Sequence, residues 1–150
     1  MFVVLILKRL IHEKKIDDYI DFHKNNGGTG KIFNFKLVHY VAGSLELEGD
    51  FTEICLNPDG SVQGGMMTAM LDDVTSLLII AETNGEKYPA STDLHTLHHR
   101  PMNQGKVKAK ASIIKMGKRI ATSKGEIYDG EQELIATLMH TSYLIKKLII

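Results

Sequence analysis

Apolar residues recur at three- and four-residue steps near the start of the chain: Val3, Leu7, Leu10 and Ile11, then Ile16, Tyr19 and Ile20. That spacing predicts an amphipathic helix, broken near Lys14. Asn26-Gly27-Gly28-Thr29-Gly30 stops it. From Ile32 the period falls to two, so Phe33, Phe35, Leu37, His39 and Val41 share one predicted face. Beyond Gly43, Leu45 and Leu47 alternate with Glu46 and Glu48, and Thr52, Ile54 and Leu56 alternate with Phe51, Glu53 and Cys55. Two antiparallel strands joined near Ala42-Gly43-Ser44 follow. Asn57-Pro58-Asp59-Gly60 is a turn, its proline presetting one backbone angle and its glycine easing the exit.

Helical spacing returns after Gly64-Gly65. Met67, Met70, Leu71, Val74, Leu77, Leu78 and Ala81 form an apolar stripe that Asn84-Gly85 ends. So few polar residues interrupt this helix that other elements should wrap it. The remainder reads as strands: Tyr88–His99, ended by Arg100-Pro101; a segment in which Val107, Ala109 and Ala111 alternate with lysines; one running from a turn at 115–118 to Tyr128; and Glu133–Ile145 after the hairpin signal Asp129-Gly130. Helix, two strands, one long buried helix and four strands make an α+β fold with an antiparallel sheet. Residues 1–30 form an N-terminal helical segment of a single domain whose body is 31–150.

Composition narrows the class. A 150-residue chain is the size of one domain, and 43% hydrophobic residues supply a core. Lysine plus arginine and aspartate plus glutamate each number 18, which disfavours a nucleic-acid footprint. The balance is uneven along the chain: residues 41–93 hold ten acids and one base, whereas 94–125 hold eight bases and no acid. One cysteine, Cys55, excludes an intrachain disulfide and reads as a buried structural thiol. The longest apolar runs, Phe2–Leu7 and Leu77–Ala81, are far short of the roughly 20 residues of a membrane span. No signal-peptide pattern is present, so a cytoplasmic domain is expected, with a mitochondrial presequence in the acid-free first twelve residues as the alternative.

Candidate chemistry concentrates in Asn57-x-x-Gly60-x-x-Gln63-Gly64-Gly65 and in Asp72 on the helix that Gly64 opens. The first N–H groups of a helix lack intrahelical partners and carry the positive end of its dipole, so they suit the oxyanion of an attacked acyl carbonyl. Asp72 lies about 12 Å further along the helix, too distant to act on a carbonyl held at its own helix start. From spacing alone it is either a solvated residue of a helix that glycine simply starts, or a carboxylate that acts on a carbonyl held by the neighbouring copy of a symmetric dimer. Ser76, one turn on, shares the face of Asp72, and Asp73 points about 100° away. His95 and His99 stand roughly 13 Å apart on one strand face, with His98 on the other, so no metal site is expected there. The comb Lys106, Lys108 and Lys110 reads as a solvated face.

Asn57 to Asp72, with Ser91-Thr92-Asp93-Leu94, Arg100-Pro101 and Gly117-Lys118-Arg119, resembles the hot-dog acyl-coenzyme A thioesterases over residues 33–145, in the small 4-hydroxybenzoyl/phenylacetyl branch. That family carries Asn-x-x-Gly-x-x-His-Gly-Gly with an acid nine residues after the histidine, and Gln63 plus nine is Asp72. The resemblance implies a curved sheet around the central helix, a homodimer or dimer of dimers, and hydrolysis of acyl- or aryl-CoA with no cofactor beyond the substrate's own coenzyme A. It implies that the Gly64 N–H and the Asn57 side chain polarise the carbonyl, with Gly65 and Ser76 beside the substrate. It further implies that Asp72 of the partner subunit acts as base on water or as nucleophile, and that Ser91 helps hold that water. Gln63 departs from the family histidine, and glutamine cannot titrate. A hot-dog protein that binds coenzyme A or acyl chains without turnover is therefore the alternative. Arg100, Lys118 and Arg119 are the candidates for the coenzyme's phosphates.

Overall fold

The computed structural model describes residues 2–147, with side chains at all of these but 2 and 8–14. A 24-residue helix, α1 (Phe2–Asn25), opens the chain without a break at Lys14. Ile16, Tyr19 and Ile20 of its second half are buried against the sheet and the central helix, whereas Val3–Leu7 are exposed. The expected apolar positions Leu10 and Ile11 lie outside the described side chains. Asn26 Nδ2 donates to the Phe22 carbonyl at 2.8 Å, and the short helix α2 (Gly30–Phe33) then turns back. Gly30 is required there, because a Cβ would lie 2.3 Å from the His23 carbonyl oxygen.

Six strands follow the predicted order with two adjustments. β1 (Lys36–Val41) pairs antiparallel with β2 (Ser44–Phe51), but a bulge between Leu37 and His39 inserts one residue. The expected face of Phe33, Phe35, Leu37, His39 and Val41 is broken by it: Phe33 and Phe35 are buried, then Tyr40 turns inward while His39 and Val41 face out. The alternation expected over 52–56 is instead a 3₁₀ turn, Glu53–Cys55. Phe51 is opposite Gly105 at the start of the neighbouring strand, so the chain beyond it has no ladder partner there. It tucks Cys55 inside and leaves Ile54 outside.

α3 (Gly64–Glu82) is the central helix, with all seven residues of the expected stripe buried. It is the one described helix long and apolar enough to cross a membrane, and here that length lies against the sheet. β3 (Lys87–His98), β4 (Gly105–Met116), β5 (Ile120–Tyr128) and β6 (Leu134–Lys146) complete an antiparallel sheet of order β1-β2-β4-β5-β6-β3. It wraps α3 and leaves β3 as one open edge. On the outer face Lys106, Lys108 and Lys110 of β4 stand opposite Asp50, Glu48 and Glu46 of β2. Lys106 bonds Glu48 at 2.8 Å, and Lys108 and Lys110 lie 3.5 and 3.6 Å from Glu46. The acid-rich and base-rich stretches of the sequence thus meet across two strands.

Candidate active site

The start of α3 is pinned by backbone bonds. Val62 N donates to the Met102 carbonyl at 2.7 Å and Gln63 N to the Cys55 carbonyl at 2.9 Å. Asn57 does not stand free: its Oδ1 accepts from the amides of Asp59 and Ser61, both at 3.2 Å, and its Nδ2 donates to Ser61 Oγ at 3.0 Å. Asp59 accepts from the Ser61 hydroxyl and amide, which hold its carboxyl below the usual range. Gln63 is the N-cap residue, exposed and without a side-chain bond to the helix end. Gly64 and Gly65 follow, the helix positions whose N–H groups have no acceptor within the helix.

His98 reaches this point from β3. Its Nε2 donates to the Gly64 carbonyl at 3.0 Å, and a Cβ on Gly64 would stand 3.1 Å from that nitrogen. A bulge between Ser91 and Asp93 puts it there. Ser91 is opposite buried Ser142, and past the bulge Leu94, Thr96 and His98 are opposite buried His140, Leu138 and Ala136. Strict alternation would turn Ser91 and His98 to opposite faces, and the extra residue turns both toward α3. His95 faces out opposite Met139, and His99 Nε2 lies 2.9 Å from Thr137 Oγ1. Among the described residues no three His, Cys, Asp or Glu side chains form a metal-binding group.

Asp72 lies two turns along α3, half-buried. Its Oδ1 accepts from Ser91 Oγ at 3.0 Å and, weakly, from Ser76 Oγ at 3.4 Å. Behind Ser91 stands a residue that the sequence pattern did not single out. His140 of β6 is fully buried, with Nε2 2.9 Å from Ser91 Oγ and Nδ1 2.7 Å from Thr75 Oγ1. A carboxylate only accepts and a serine has one proton to give. Ser91 therefore donates to Asp72, and on the far side of the ring the Leu71 carbonyl, 2.7 Å from Thr75 Oγ1, competes with Nδ1 for the one Thr75 proton. The contacts Thr75–His140–Ser91–Asp72 form one continuous chain. Burial pushes the pKa of His140 down, against the opposing pull of the Asp72 and Asp93 charges. Its one sequence signal was a histidine in the inward phase of β6, between Leu138 and Ser142.

Asp72, Ser76 and Ser91 line one cavity of about 350 Å³ between α1, α3 and β3, with Tyr19, Phe22 and His23 of α1 and Asn26 just beyond it as one wall. Asp73 lines the same cavity and pairs with His23, whose Nε2 lies 3.1 Å from Asp73 Oδ2. That bond raises the pKa of His23 against the effect of burial. Gly64 and His98 line a different cavity of about 230 Å³ with Arg100. One chain therefore holds the helix start and the carboxylate in separate cavities. The basic candidates are divided too. Arg100 pairs with Glu133 at 3.2 Å near the end of β3, whereas the Lys118 carbonyl accepts from Lys87 at its start. Those strand ends are about 35 Å apart at the usual rise per residue.

Comparison with known proteins agrees with the fold. The thioesterase superfamily model matches residues 59–136, just over half of the chain, and the protein belongs to that family. A proofreading thioesterase of Klebsiella pneumoniae, EntH, is 27% identical over 88 residues, 59% of this chain and 64% of that protein. The chain thus matches under two thirds of the relative's length. A phenylacetic acid degradation-related protein of Ralstonia eutropha is 29% identical, with a TM-score of 0.73 over 83% of this chain and 98% of that one. A Streptococcus mutans protein bound to acetyl-CoA has a TM-score of 0.70 at 15% identity, covering 76% and 90%. The hot-dog fold expected from the resemblance is the fold observed.

Proposed function

We propose that the protein hydrolyses acyl- or aryl-CoA thioesters to the free acid and coenzyme A. The observation that carries this reading is Asp72 on a cavity wall, ordered by the Ser91–His140–Thr75 chain. A carboxylate that accepts one oriented hydroxyl keeps lone pairs free for a water or for direct attack on a carbonyl. Ser91 and buried His140 fix its direction. The Gly64 and Gly65 amides supply donors for the carbonyl oxygen. Asn57 supports them by shaping the loop before the helix. Water attacks the thioester carbon as Asp72 takes its proton, and the C–S bond breaks as that proton passes on to the departing sulfur, leaving the acid, the thiol and the Asp72 carboxylate.

The two halves belong to a homodimer. β3 is a twelve-residue open edge, and antiparallel pairing with a second copy lays the His98 end of one strand beside the Lys87 end of the other. That pairing brings Gly64 of one protomer toward the partner's Asp72. It also brings Arg100 toward the partner's Lys118 and Arg119, where the three serve the coenzyme's phosphates. The acetyl-CoA held by the Streptococcus mutans protein supports a ligand of this type.

Thiol release from a panel of acyl-CoA substrates tests the reading. Asp72→Asn should lower kcat by about 10²-fold or more, as losses of acid–base groups do. Equal rates for the two proteins would remove Asp72 from the chemistry. Saturable coenzyme A binding without turnover in the natural protein would replace hydrolysis with the binding reading that Gln63 suggests.

A further inference from the structure

Resting on that reading, we propose that His98 is a positioning residue of the oxyanion site, holding and polarising the Gly64–Gly65 peptide whose N–H faces the thioester carbonyl. A carbonyl oxygen can only accept, so the 3.0 Å contact places the proton of His98 on Nε2. The bonded oxygen and the Gly65 N–H belong to one peptide unit. A bond to the oxygen withdraws electron density from the nitrogen and strengthens the N–H as a donor, the cooperative effect of linked hydrogen bonds. It also fixes the peptide plane, and with it the direction of that N–H.

The fit between strand and helix is specific. Thr96 and His98, both turned inward by the β3 bulge, meet α3 on two successive turns: Thr96 Oγ1 bonds Thr68 Oγ1 at 2.8 Å, and His98 bonds Gly64 four residues earlier. These two polar rungs dock β3 on the first two turns of the helix. The ring lies against the Gly64 α-carbon so closely that a Cβ would meet Nε2 at 3.1 Å and Cε1 at 3.2 Å. A Cβ at 64 would crowd the imidazole, so glycine there eases its approach as well as exposing the amide.

His98→Ala and His98→Gln separate this role from a purely structural one. Glutamine places an amide N–H at the reach of Nε2, whereas alanine places nothing. For acyl-CoA hydrolysis the alanine variant should lose about tenfold in kcat with little change in KM, a smaller loss than removing an oxyanion donor outright. The glutamine variant should recover most of it, with melting temperatures of both near wild type. Wild-type kcat in the alanine variant, or equal impairment in both, would overturn the role. A second arm needs no turnover. ¹⁵N NMR of the free protein should show His98 protonated at Nε2 and the Gly65 amide resonance displaced by alanine but not by glutamine. A lone pair on Nε2 overturns the proposal. A wild-type protein that turns over no acyl-CoA, with the NMR signature intact, rejects the hydrolase reading alone.

Discussion

His140 and His23 sit on either side of α3 and respond to protons in opposite ways. Burial lowers the pKa of His140 from its ordinary 6.5, while the bond to Asp73 raises that of His23. As pH falls below about 6.5, the unfolded chain takes up a proton at residue 140 before the folded one does, so that contribution to stability is lost on the acid side. The contribution of His23 is complete below the same pH and is lost as pH rises through its raised value. Melting temperature followed from about pH 5 to pH 8 should therefore fall on both sides of a maximum. His140→Gln should flatten the acid limb and His23→Gln the alkaline limb. An acid limb that keeps its slope in the His140 variant would assign that limb to the carboxylates.

At the scale of elements, long periodic runs were legible and short ones were not. The α3 stripe, the β2 alternation and the lysine comb of β4 each read correctly, because period and burial agree over many residues. The misses are local. Strict alternation from Phe33 ran through a bulge in β1, and the apolar alternation of 52–56 described a 3₁₀ turn that had lost its strand partner. A break near Lys14 was read where α1 is continuous. α1 also proves to be a wall of the cavity that Asp72 faces, which no pattern in residues 1–30 indicated. Phe22, partly exposed on that wall, bounds the space beside the carboxylate. Phe22→Ala should extend activity toward longer or bulkier acyl groups on the substrate panel. An unchanged acyl profile would mean that the acyl group lies elsewhere.

At the scale of the molecule, the open β3 edge is the feature on which the proposed dimer rests. Natural sheets cover, twist or charge such edges, whereas Leu94 and Leu97 here are both exposed. Replacing both with lysine should shift sedimentation toward the monomer and abolish thiol release together. Activity surviving in a monomer would reject the composite site. The even charge total also resolves at this scale, since the acids of β2 and the bases of β4 face each other in register.

The order of elements, the central helix and the spacing from Gln63 to Asp72 were determined by sequence alone, because they rest on local periods and on glycines that open a helix. The tertiary structure decided what Asp72 and Gly64 touch. His140 and His98 lie 68 and 34 residues from them in the chain. They arrive only through the pairing of β6 with β3, and His98 only because one extra residue in β3 turns it inward. Strand pairing between distant segments and a single-residue bulge leave no periodic trace, yet each reverses which side chains face the helix.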